Sequence, residues 1–185
     1  MRSYHITVQR GYHGSLNRCG GVPTHLPEVW PQIDGTDLTF LFQIYCDGKM
    51  LDIPSTLCIQ GYQWIEHGNY IGEPEVLQIP LGAKENTAQM GRSLPVELGL
   101  PSGDFVFEEV EEKEAYDVLQ EFDQWYKSGV PFSKLGGWCE AEIIPPGCRF
   151  LGWLADEDPF VMGAGYNLCL FLSTEGKVLT RFHRP

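Results

Sequence analysis

The sequence predicts an α+β domain, mainly antiparallel strands in two similar halves, with one long amphipathic helix over about residues 113–128. Three observations carry this. Short apolar runs with strand character recur along the chain. Only one stretch shows a clear helical stripe. The runs are separated by loops rich in Gly, Pro, Asp and Asn, such as CDGK, GEPE, LPSGD and IPPG. Short strands joined by tight loops favour antiparallel neighbours, and a lone amphipathic helix is expected to cover part of their sheet.

Tyr4 to Gln9 alternates apolar and polar residues with period two, as a half-buried strand does. Leu38 to Cys46, Thr56 to Tyr62, Val76 to Ile79, Phe105 to Glu108, Phe150 to Leu154, Leu168 to Leu172 and Val178 to Phe182 continue the series. The STEGK segment between the last two predicts a hairpin, because glycine after polar residues suits a turn with positive φ. The helix is read from EKEAYDVLQEFDQWYKSGVP. Ala115, Val118, Leu119, Phe122, Trp125 and Tyr126 fall on one face. Glu111, Glu112 and Glu114 stand at its start, where carboxylates favour the positive end of the dipole. Lys127 sits in its last turn, Gly129 is placed to cap it, and Pro131 prevents continuation. A weaker helical pattern spans about 84–92.

A chain of 185 residues is read as a single domain, 1–185. No apolar run reaches the length of about 18 residues that a membrane helix needs. The opening MRSYHITVQRGYHG lacks the apolar region of a secretory signal, so a cytoplasmic location is expected. The formal net charge is −12. Such a chain does not bind nucleic acid by neutralising phosphates, nor is it drawn to an anionic membrane. Its field speeds encounter with a basic protein. The six cysteines include no CxxC pair, and most lie in apolar surroundings, which fits free buried thiols better than a disulfide framework.

The familiar catalytic signatures are absent from the sequence: no GxxxxGK[ST], no HExxH, no GxSxG, no GxGxxG after a strand. His13, Cys19 and His25 are evenly spaced in a loop, but not in a metal-ligand pattern. No cofactor and no metal are expected, and the chain is read as not an enzyme. A hydrolase using a thiol or a metal with His13 or His25 is the remotest alternative. Two acidic clusters are more informative. FEEVEEKE carries Glu108, Glu109, Glu111 and Glu112, and LADEDPF carries Asp156, Glu157 and Asp158 between Trp153 and Phe160. A solvated helix start accounts for the first as readily as a binding role does. Aromatic residues beside loop carboxylates suit an interface to a basic protein, with rings as anchors and charges as steering. The candidate partner-binding residues are therefore Glu108, Glu109, Glu111, Glu112, Trp153, Asp156, Glu157 and Asp158. A small-ligand pocket between the halves, lined by Trp30, Trp138 and Trp153, is the other alternative.

The stretch RCGGVPTHLPEVWP, residues 18–31, leads into the strand TDLTFLFQIYC. Gly20-Gly21-Val22-Pro23, Leu26-Pro27, Trp30-Pro31 and Leu38 to Ile44 resemble, in that order, the bacterial YwqG-like family. A later element, Lys134-Leu135-Gly136-Gly137-Trp138, fits the same pattern, although Cys139 stands where a second GG-x-P would place proline. SLNRCGGV and PFSKLGGW share a small polar residue, a basic residue and the Gly-Gly pair, as an internal duplication over about 1–100 and 101–185 would leave them. The resemblance implies a mainly β, α+β fold of two similar halves and supplies no catalytic residue. Some small acidic proteins that look like this family are immunity proteins. What it implies here is a cytoplasmic protein that binds and neutralises a cognate toxin, including nuclease toxins of type VI secretion systems. The Gly20 to Pro31 loop is read as a structural corner, with glycines in backbone conformations other residues resist and Trp30 plugging the core.

Overall fold

The computed structural model describes residues 1–66, 69–91, 102–112, 133–155 and 167–183. In chain order the strands are β1 (Arg2–Arg10), β2 (Arg18–Cys19), β3 (Gln32–Ile33), β4 (Thr36–Asp37), β5 (Thr39–Tyr45), β6 (Thr56–Glu66), β7 (Asn69–Pro80), β8 (Gly103–Glu111), β9 (Ser133–Gly136), β10 (Cys148–Leu154), β11 (Asn167–Ser173) and β12 (Val178–His183). β3 and β4 form a small ribbon of their own, turned by Asp34 and Gly35, both at positive φ. The other ten form one sheet, in the order β12-β11-β10-β9-β1-β8-β2-β5-β6-β7.

The sheet curls until its edges meet. The side chain of Gln78 on β7 donates to Gly176 O at 2.8 Å and accepts from Val178 N of β12 at 2.8 Å. The result is nearly a closed ten-stranded barrel. Register shifts between Phe40 and Phe42 in β5 and between Phe150 and Gly152 in β10 help it bend. All ten strands feed one interior cluster, from Tyr4 and Ile6 of β1 and Phe105 of β8 to Ile59 of β6, Leu135 of β9 and Leu170 of β11, with Tyr70 of β7 and Val178 of β12 packed against it.

This corrects the α+β expectation. The described residues contain no helix and are essentially all-β. An open sheet needs an outside layer to bury its apolar face, the part that the helix read from the 113–128 stripe would have played. A sheet that curls on itself buries that face in its own lumen. The stripe over 113–128 lies outside the described residues. The pattern near 84–92 is not helical over its described part. There the Asn86 side chain bonds both N and O of Met90, at 2.7 and 2.6 Å, and Gln89 and Gly91 stand at positive φ.

The strand order has a symmetry of its own. One four-strand meander, β2-β5-β6-β7, begins with a strand that runs into Gly20-Gly21; the other, β9-β10-β11-β12, begins with a strand that runs into Gly136-Gly137. All four glycines have φ between 65° and 77°. After each pair the chain crosses the outside of its own meander and seals a second, smaller cluster. On the first meander this holds Leu38, Phe40 and Tyr62, with Trp30 against them. On the second it holds Ile143, Trp153, Cys169 and Phe171, with Trp138 against them. β1 and β8 lie between the meanders. β1 pairs with β9 and β8 pairs with β2, so each central strand sits beside a strand remote from it in sequence.

Candidate functional site

The two Gly-Gly corners place basic side chains in opposite circumstances. Lys134 precedes the second pair by two residues, and its side chain is fully buried. Its Nζ donates to Glu112 Oε1 at 2.6 Å and lies 4.6 Å from the centre of the Trp153 ring. The other carboxylate oxygen of Glu112 accepts the N–H of Trp138, the residue after the glycines, at 2.6 Å. A Cβ on Gly137 would come within 2.5 Å of that carboxylate, so glycine is required for the approach. Glu112 is thus clamped between a cation and a backbone N–H, with its charge matched inside the protein.

Arg18 precedes the first pair by the same two residues. Its Nη2 donates to Ser15 O at 3.1 Å, and its guanidinium stacks 5.1 Å from the centre of the Tyr12 ring. It has no ion pair among the described residues, and its Nε is buried without a hydrogen-bond partner. Tyr12 lies over Gly21 as Glu112 lies over Gly137, and its hydroxyl donates to Cys19 O at 3.3 Å. The cross-strand neighbour of Arg18, Asp104, accepts His13 N and Ser15 N on Oδ2, at 2.7 and 2.9 Å.

Beside Arg18 opens a cavity of about 560 Å³, walled by Gly21 to His25 on one side and Glu85 to Thr87 with Gln89 on the other. Its walls are held rigidly. Asn86 Nδ2 donates to Pro23 O at 2.9 Å and Asn86 N to Thr24 O at 2.8 Å, tying one wall to the other. Gln43, buried in the apolar strand β5, accepts Thr24 N on Oε1 at 2.9 Å and donates Nε2 to Thr24 Oγ1 at 2.7 Å. The Thr24 hydroxyl lies 2.8 Å from Tyr45 Oη and 3.3 Å from His25 Nδ1, and Tyr45 Oη bonds the same ring nitrogen. Burial raises the Tyr45 phenol, which keeps it a donor. These contacts hold the His25 ring through Nδ1. Gln60 fixes the same residue from below, donating to His25 O at 2.8 Å while accepting the Tyr62 hydroxyl at 2.6 Å.

The residues singled out for partner binding separate into groups. Glu108 and Glu111 are exposed on β8. Glu109 is met by Lys49 at 2.9 Å and Arg2 at 3.4 Å, and the Lys49 hydrogen bond holds its carboxyl below the usual carboxylate range. Glu112 and Trp153 are buried on either side of Lys134. Asp156, Glu157 and Asp158 lie outside the described residues. Trp30 belongs to one outer cluster, Trp138 and Trp153 to the other.

The hydrolase candidates do not converge. His13 is exposed with Nε2 3.1 Å from Arg10 O, and Cys19 is buried against Gly103 O. Among the described residues no group of three or more His, Cys, Asp or Glu could hold a metal ion. Burial pushes the Cys46 and Cys139 thiols up to about 11 and those of Cys58 and Cys169 up to about 12, away from the reactive thiolate.

Tyr12, Arg18, Thr24, Gln43, Tyr45 and Asn86 build the cavity and were not candidates from sequence. Gln43 alone left a signal, an amide inside the otherwise apolar run LTFLFQIY. No family model, no curated protein and no solved structure matches this chain.

Proposed function

We propose that this chain is a non-catalytic interaction protein that binds and neutralises a basic protein partner in the cytoplasm, as immunity proteins do for toxins. The partner class is a nuclease effector domain, whose phosphate-binding cleft is basic. The observation that carries the reading is the acidic end of β8. Glu108 and Glu111 are exposed there without ion-pair partners among the described residues, on a chain of net charge −12. Unmatched surface carboxylates raise the rate of encounter with a basic cleft, and the exposed Val106, two residues from Glu108 on the same face of the strand, offers apolar area beside that carboxylate. The likeness of the Gly20 to Ile44 stretch to the YwqG-like family supports the same reading. The matching Gly-Gly corners and meanders support an internal duplication within one domain.

The test is co-expression of the C-terminal domain encoded by the neighbouring gene, with and without this protein. Rescue of growth, a stable complex and an association rate that falls with salt are expected. Reversing Glu108 and Glu111 to Lys should slow association about tenfold or more at low salt. A neighbour that is harmless alone, or toxic but neither rescued nor bound, would overturn the reading. An unchanged rate in the reversed variant would move the interface elsewhere, with Asp156, Glu157 and Asp158 next to be replaced. The cavity beside Arg18 favours a second reading, a small-ligand role.

A further inference from the structure

We infer that the cavity at the first Gly-Gly corner binds a small organic carboxylate, with Arg18 as its counter-ion. The inference rests on the small-ligand reading and names its ligand class. It is drawn from the contrast between the two corners of this one chain. At the second corner, a cation two residues before the glycines and the N–H of the residue after them hold a carboxylate between them, that of Glu112. The first corner repeats the parts. Arg18 stands two residues before Gly20, and Val22 follows Gly21 with no hydrogen bond to its N–H among the described residues. What is missing is a carboxylate in contact with the cation, because Asp104 takes its hydrogen bonds from His13 N and Ser15 N. Tyr12 occupies the place over the glycine, and a phenol whose ionisation burial has made harder cannot neutralise a guanidinium.

The space for the missing group is already open. The cavity beside Arg18 is about 560 Å³, within the range of small-molecule sites. Tyr12, Leu16, Val22 and Pro23 give it an apolar lining for the body of an organic acid. His25, its ring held at Nδ1 by Tyr45, also stands on the wall. Two carboxylates limit what enters. Glu85 lines the cavity, and Asp104 lies behind Arg18 with both hydrogen-bonded contacts on Oδ2. A ligand carrying a single carboxylate on an apolar body avoids both better than a polyanion does.

The experiment uses the whole chain and four probes: benzoate, hexanoate, and their neutral amides benzamide and hexanamide. Ligand-observed NMR and calorimetry are run at equal probe concentrations. Binding of the acids is expected, with the amides at least about tenfold weaker, the scale of one charge-assisted contact. Arg18→Gln should lose that preference, Arg18→Lys should keep part of it, and Lys177→Gln, at an exposed hairpin, should change nothing. Circular dichroism checks that each variant is folded, and the acid-amide comparison on the unaltered protein stands even where Arg18→Gln does not fold. Equal binding of acids and amides would overturn the assigned ligand class while leaving a ligand cavity. Binding of none of the four up to millimolar concentrations would overturn the small-ligand reading as well. A preference for acids that survives in folded Arg18→Gln would remove Arg18 from the site.

Discussion

At the scale of single residues, the buried pair Lys134–Glu112 dominates. Lys134→Met would leave the Glu112 charge buried without its counter-ion, and is expected to cost about 3–5 kcal/mol in urea unfolding. The double variant with Glu112→Gln keeps an acceptor for Trp138 N and removes the stranded charge, so it should be more stable than the single one. His5, the cross-strand neighbour of Lys134, reports on the same place. Burial and then the Lys134 charge lower its pKa from 6.5, opposed by Glu112 and Glu108. The folded state then takes up its proton at lower pH than the unfolded state. Stability from this group is therefore level above about 6.5 and declines as pH falls from there toward the folded value. His5→Gln should flatten that decline in unfolding curves taken at a series of pH values. Gly61 is another single-residue constraint. A Cβ there would collide with the Phe42 ring, and Gly61→Ala is expected to destabilise by about 1–3 kcal/mol in the same assay.

At the scale of elements, the seam between β7 and β12 depends on one side chain. Gln78 supplies both an acceptor for Val178 N and a donor for Gly176 O, where a regular ladder would use backbone. Gln78→Leu should cost about 1–3 kcal/mol, and hydrogen exchange should quicken first in β12. Strands with a long apolar alternation were legible in the sequence. The eight runs read as strands fall within β1, β5, β6, β7, β8, β10, β11 and β12 or overlap them closely. Strands β2 and β9 were not legible, because RC and SKLG are too short to show a period. Those two set the position of both corners. The curling of the sheet was hidden for a different reason: closure depends on partners far apart in sequence, and alternation reads the same in an open sheet and a barrel. The cavity was the least legible part. Its residues come from four separated segments, and the loop RCGGVPTHLPEVWP showed its glycines and prolines but not the Gln43 and Asn86 amides that brace it.

At the scale of the whole molecule, the crossed placement of β1 and β8 decides what can fold alone. β1 finds its neighbours only in β8 and β9, and β2 joins the sheet through β8. A fragment of residues 1–100 would have to form its meander with the central strand missing and β1 unpaired. It is expected to give a poorly dispersed amide NMR spectrum by itself, and a folded one only when residues 101–185 are supplied with it. A fragment that folded alone would show that the meander carries its own stability. The same crossing has a consequence during synthesis. β9 is not complete until Gly136 has been added, more than a hundred residues after β1 ends. At about 5–20 residues per second, the first strand of the nascent chain waits roughly 6–25 seconds for its second neighbour. Until Gly136 is added, that strand edge stands open to pairing with other chains, so mispairing of the nascent protein is expected to concentrate at β1.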